Sequence, residues 1–109
     1  MRRRSVALLI AACGLAPVPA PARADSGPAA HTVVIEAMAF HPERLTVRRG
    51  DTVVWVNKDP FPHTATAAGV FDSHSIPAGG SWKHPVRKPG QFTYLCTLHT
   101  NMRAVLEVK

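Results

Sequence analysis

From residue 90 to residue 109 the chain reads GQFTYLCTLHTNMRAVLEVK, and both halves of that stretch alternate with a period of two. Phe92, Tyr94 and Cys96 share one face of the first half. Met102, Ala104, Leu106 and Val108 share one face of the second, opposite Arg103, Glu107 and Lys109. Such alternation specifies two strands, each with a buried side. The connection between them, residues 97–101, is short, so the unit is a rigid strand–loop–strand. It forces three side chains toward one point: Cys96, His99 and Met102, spaced C-x2-H-x2-M.

A thiolate, a thioether and an imidazole together suit copper, whose two oxidation states differ in softness. A blue-copper site has two His, one Cys and a weak axial Met. One imidazole is therefore missing, and the chain offers His63 in NKDPFPHT. Singly, each residue fits a plain hairpin with Cys and Met in the core and His99 on the surface. The joint spacing on a rigid unit favours the four-ligand metal site of His63, Cys96, His99 and Met102.

The stretches VVWVNKDPFPHT (residues 53–64) and GQFTYLCTLHTNM (residues 90–102), supported by LTVRRGDTVVW (residues 45–55), resemble the cupredoxin family of small type I copper proteins. The seven-residue span from Cys96 to Met102 is similar to that of its amicyanin-like members, whereas plastocyanin-like and pseudoazurin-like members are longer there. The resemblance runs over residues 32–109. It implies one type I copper per chain, with Cys96 as the strong thiolate ligand, His63 and His99 completing a plane, and Met102 as the weak axial contact. It also implies an electron carrier, not an enzyme, that shuttles single electrons between redox partners such as a dehydrogenase, cytochrome or oxidase. Docking would be transient and centred on His99, with Phe61, Pro62, Leu98 and Thr100 as an apolar surround. The residues after the first His and after the Cys, Thr64 and Thr97, would tie the two ligand loops together. Thr64 departs from the Asn common in the family, and its shorter side chain leaves that tie open. Asn57 reads equally as a brace of the His63 loop or as a turn residue ending its strand.

The rest of the chain agrees with an all-β fold. Strand-forming stretches cover residues 32–37, 45–48, 52–56, 64–68, 81–86, 91–96 and 103–109, punctuated by Gly and Pro. No segment has a helix-length 3.6 pattern. That spacing predicts a single small all-β sandwich, and the resemblance implies that it is of the cupredoxin Greek-key type. Residues 68–77, AGVFDSHSIP, read as a loop. His31, His41, His74 and His84 lack ligand spacing and are expected to be structural or solvated, and Trp55 and Trp82 to be core or rim packing.

Residues 1–24 read as a secretory signal: Arg2, Arg3 and Arg4, an apolar run over residues 5–16, and Ala22-Arg23-Ala24 at the end. The apolar run is shorter than the roughly 20 residues of a spanning helix. The alternative is a lipoprotein signal, since Ile10-Ala11-Ala12-Cys13-Gly14 resembles a lipobox and would leave a lipid anchor on Cys13. Either route leads to the periplasm, with residues 25–31 as a Pro/Ala-rich N-terminal segment and residues 32–109 as the domain. The formal charge of +6 includes Arg2, Arg3, Arg4 and Arg23; without these four it is +2. No run of five like charges remains, which argues against a nucleic-acid partner. Removal of Cys13 would leave Cys96 alone, and a lone Cys in an oxidising compartment has no internal disulfide partner. A metal clip would also stabilise a domain this small, expected as a monomer.

Three rivals weigh less. A multicopper enzyme needs further copper sites, and Leu95 and Thr97, not His, flank Cys96. A copper-delivery protein could use the same four ligands, so sequence separates it poorly from a carrier. Zinc is disfavoured because a Met ligand fits poorly with closed structural zinc sites.

Overall fold

The computed structural model describes residues 27–109. The expected signal over residues 1–24 and the expected lipidation of Cys13 lie outside the described residues. The strands, in chain order, are β1 (Ala30–Glu36), β2 (Ala39–His41), β3 (Arg44–Val47), β4 (Thr52–Asn57), β5 (Thr66–Ala67), β6 (Phe71–Asp72), β7 (Ser81–Pro85), β8 (Gly90–Cys96) and β9 (His99–Val108). They form two sheets, ordered β2-β1-β4-β7 and β3-β9-β8-β5-β6. Two pairings are parallel, β1 with β4 and β3 with β9. Parallel neighbours need a crossover. Here the chain leaves the first sheet after β2, places β3 at the edge of the second, and returns as β4.

Period-2 alternation puts one face of each long strand into the core. Val33 and Ile35 of β1, Val53 and Trp55 of β4, Tyr94 and Cys96 of β8, and Met102, Ala104, Leu106 and Val108 of β9 are all buried. Trp55 lies at the centre, with its ring centroid 5.4 Å from Trp82, 5.4 Å from Phe71 and 5.5 Å from Tyr94. Side chains of this size each stabilise by about 1.5–3 kcal/mol on full burial, so this cluster holds the two sheets together. Trp55 is thus core and the partly buried Trp82 is rim, as the sequence reading had it.

The structure differs from the sequence reading in four places. β2 was not foreseen, being only three residues long between turn residues. β1 begins at Ala30, because Ala30 pairs with Thr52. The stretch read as a loop, residues 68–77, contains β6, which pairs with β5, and Ile76, which bridges to His63. The connection after Cys96 is only Thr97 and Leu98, and His99 opens β9 instead of sitting in the loop.

Candidate metal centre

One end of the sandwich brings together His63, Cys96 and His99, and Met102 is buried on the strand that carries His99. Cys96 is the last residue of β8 and is fully buried, because alternation with Tyr94 turns it inward. Across the ladder Tyr94 faces Ala104 and Leu95 faces Arg103, so an unbroken register would set Met102 against Cys96. Instead the register shifts between Leu95 and Cys96, and Cys96 faces His99. The irregularity puts His99 beside the thiol while Met102 stays inward and buried. A regular hairpin would have offered only one of them.

His63 arrives from the other side, in the segment between β4 and β5. It is buried, and a two-way backbone bridge holds it: its N–H donates to the Ile76 carbonyl at 3.2 Å, and its carbonyl accepts from the Ile76 N–H at 2.7 Å. Its Nδ1 lies 3.6 Å from Cys96 Sγ. A zinc-type ion bonds imidazole nitrogen at about 2.0 Å and thiolate at about 2.3 Å, so a single first-row ion can touch both atoms. The His99 ring stands alongside, its centroid 5.2 Å from that of His63. Among the described residues no three His, Cys, Asp or Glu side chains are drawn together as a finished cage. What the fold gathers is the His63–Cys96 pair with the His99 imidazole beside it, and β9 also carries the buried Met102 thioether three residues beyond His99. That donor set, two borderline nitrogens and two soft sulfurs, fits copper.

The orientation of His63 is fixed from behind. Its Nε2 is 2.8 Å from an Asp59 carboxylate oxygen. A carboxylate only accepts, so Nε2 carries the proton and the bare Nδ1 faces Cys96. Asp59 is itself clamped by the N–H groups of Ala37, at 2.7 Å, and Met38, at 3.0 Å. Burial acts to raise its pKa, but the bonds from Met38, His63 and Ala37 outweigh that and hold it below the ordinary carboxylate value. The clamp has a cost, since Ala37 and Met38 both sit at positive φ, 55° and 61°. Sequence reasoning missed Asp59 as a functional residue. Its position four residues before a ligating His was visible, but the two donors lie more than twenty residues away.

Asn57 is the brace that the sequence left undecided. It is fully buried, and its Nδ2 donates to the carbonyls of Phe61 (2.9 Å), Ile76 (3.0 Å) and Pro77 (3.3 Å). Its Oδ1 accepts from the Asp59 N–H at 2.9 Å. One amide thus ties together both segments that carry the His63 bridge. The link between ligand loops, left open by the Asn-to-Thr departure, is also made. Thr64 Oγ1 accepts from the Thr97 N–H at 2.9 Å and meets Thr97 Oγ1 at 3.2 Å. In addition, the Thr64 N–H donates to Cys96 Sγ at 3.3 Å, a bond that disperses charge from a thiolate.

The remaining histidines stand apart from this centre. His31 Nε2 is bonded to Asp51 at 2.9 Å, His41 Nε2 to the Glu36 carbonyl at 3.0 Å, His74 is exposed beside Asp72, and His84 stacks on Trp82 at 5.3 Å. Outside the centre, Phe61 and Leu98 are exposed, at 39% and 53%, and the Phe61 ring lies 5.3 Å from His63 and 6.0 Å from His99. Pro62 and Thr100 are exposed as well.

The family model described as a cupredoxin-like domain matches residues 5–108, nearly the whole chain. The chain belongs to the cupredoxin family. This cupredoxin is 30% identical to amicyanin of Paracoccus versutus over 96 residues, which covers 82% of this chain and 73% of that protein. It is 40% identical to plastocyanin of Scenedesmus fuscus over 45 residues, 41% of this chain and 42% of that protein, so it spans under half of that relative. Among solved structures, the crystal structure of the P. versutus amicyanin aligns with a TM-score of 0.68 at 28% identity, covering 73% of this chain and 81% of that one. A Cu(I) form of an amicyanin variant aligns with a TM-score of 0.69 at 27% identity, covering 80% and 86%. The all-β sandwich read from the strand spacing is therefore the cupredoxin fold.

Proposed function

We propose that this cupredoxin is a periplasmic type I copper electron carrier whose metal is held by His63, Cys96, His99 and Met102. The observation that carries this reading is the buried 3.6 Å approach of His63 Nδ1 to Cys96 Sγ, made from segments 33 residues apart. Bound there, copper supplies a one-electron Cu(I)/Cu(II) couple. The protein's own part is to hold its donors still and dry. Asp59 fixes the His63 ring, Asn57 and the Ile76 bridge fix its backbone, and Thr64 with Thr97 fixes the two loops against each other. Donors that need not move between oxidation states make electron exchange fast. Phe61, Pro62, Leu98 and Thr100 form the apolar surface around half-buried His99, a small patch suited to brief encounters with a dehydrogenase, cytochrome or oxidase. Residues 1–24 are proposed as the export signal, residues 25–31 as a lead segment and residues 32–109 as the working domain.

The test is the absorption spectrum of the Cu(II)-loaded protein and of its Cys96→Ser variant. An intense thiolate-to-copper band in the red is expected for the wild type, and its loss, with the β-sheet circular dichroism retained, for the variant. A colourless wild-type complex, or a band that survives Cys96→Ser, would overturn the reading.

A further inference from the structure

The end of the sandwich opposite the candidate metal centre holds the net charge of the described chain. Strand β8 runs from Gly90 at that end to Cys96 at the other, six steps of about 3.4 Å, so the ends lie about 20 Å apart. Three segments distant in sequence meet there. Gly50 N–H donates to the Val86 carbonyl at 2.8 Å, Val86 N–H to the Asp51 carbonyl at 2.8 Å, and Arg49 N–H to the Lys109 carbonyl at 3.0 Å. These bonds assemble Arg48, Arg49, Arg87, Lys88 and Lys109, all exposed. They are five of the nine Lys and Arg in residues 27–109, against two of the six acids, Asp51 and Glu107. Asp51 is already engaged by the N–H groups of Ala29 and Arg48 and by His31. Elsewhere Arg44, Lys58, Lys83 and Arg103 are balanced by Glu36, Glu43, Asp59 and Asp72. Among the described residues every ion pair involves a histidine, so none of the five cations is paired.

Beside two of these cations, Arg87 and Lys88, opens a cavity of about 270 Å³. Phe71, Phe92, Leu106 and Val108 line its interior, and Arg87 and Lys88 line it as well. Val86, at 2% exposure, is part of the same wall. The bond from Ala29 to Asp51 shows that the chain joins the domain at this same end.

We propose that this basic pole docks on the anionic surface of a lipid bilayer, with the cavity taking an apolar portion of a lipid. A cluster of unpaired cations, two of them at the edge of an apolar hollow, complements a surface that is anionic outside and hydrocarbon beneath, which neither nucleic acid nor an acidic protein presents. By strand length the pole lies about 20 Å from the centre, apart from the Phe61–Leu98–His99 surface. Docked this way, the molecule turns the Phe61–Leu98–His99 end away from the membrane, toward partners arriving from solution.

Co-sedimentation of the full chain with vesicles of phosphatidylcholine and phosphatidylglycerol (three to one) tests this, with pure phosphatidylcholine vesicles as reference. Arg87→Gln with Lys88→Gln, and separately Arg48→Gln with Arg49→Gln, should each weaken partitioning by about fivefold per charge removed at low salt. Lys58→Gln with Lys83→Gln, away from the pole, should leave it unchanged. Any contribution of residues 1–26 is common to all these proteins and cancels. The proposal is overturned if both pole variants partition like the wild type, if the Lys58/Lys83 variant loses as much, or if poly-glutamate is retained while anionic vesicles are not.

Discussion

Replacing Asn57 by Ala tests whether the metal centre is preorganised by the fold. The residue has no exposure, and its two amide hydrogens serve three carbonyls while its oxygen serves the Asp59 N–H. Two of these bonds, to the Ile76 carbonyl and from the Asp59 N–H, are buried. Truncation orphans the Asp59 N–H, and a buried orphan costs about 1–3 kcal/mol; the Ile76 carbonyl keeps the His63 N–H and loses only its second bond, about 1 kcal/mol. The Phe61 and Pro77 carbonyls lie nearer solvent and recover water, so they add little. The expected loss is therefore about 3 kcal/mol, a sizeable share of the roughly 5–15 kcal/mol total of a small domain. Urea unfolding of the metal-free protein reads this directly through the midpoint at unchanged slope. The same variant should bind copper more weakly, because the Ile76 bridge that seats His63 loosens. A loss below about 1 kcal/mol would mean that water replaces the amide and that Asn57 is only a strand end.

Three further outcomes are expected. Asp59→Asn removes a carboxylate behind His63 and turns one acceptor into a donor facing the Ala37 and Met38 N–H groups. Metal affinity should fall about 10–100-fold, and the Cu(II) form should lose more than the Cu(I) form, raising the potential by about 59 mV per tenfold of that difference. Voltammetry showing no change would remove Asp59 from the centre. Met102→Gln should retain copper and lower the potential, since a harder oxygen donor favours Cu(II); an unchanged or raised potential would make Met102 a core residue only. Asp51 gives an acid limit: bonds from Ala29 and then Arg48, and His31 after them, lower its pKa from 3.8 to about 2. Because the folded value is the lower one, its stabilisation is complete above about pH 4 and is lost as pH falls toward 2. Asp51→Asn should flatten that part of the acid-unfolding curve, and an unchanged curve would refute the assignment.

The contrast between Thr64 and Asn57 marks where sequence reasoning stopped. Thr64 was read as a shortened tie, yet it bonds Thr97 through both backbone and side chain, because the loops approach closely enough for a short side chain. Asn57 looked equally like a turn residue, because the carbonyls it serves lie up to twenty residues downstream. His99 was placed in a loop, since nothing local announces the register shift at Leu95 and Cys96 that starts β9 there.

What the sequence determined by itself was everything carried by neighbours along the chain. Period-2 alternation turned Cys96, Met102 and their strand mates inward, and the C-x2-H-x2-M spacing named three donors on one unit. Strand-length stretches parted by Gly and Pro excluded helices. What only the tertiary structure decided was everything carried across the sandwich. His63 meets Cys96 from 33 residues away, and Asp59 is clamped by a turn more than twenty residues before it. Five cations that never form a run in sequence become one pole. The physical reason is that alternation follows from the pleat of a single strand, whereas these contacts depend on which strands pair and in what register.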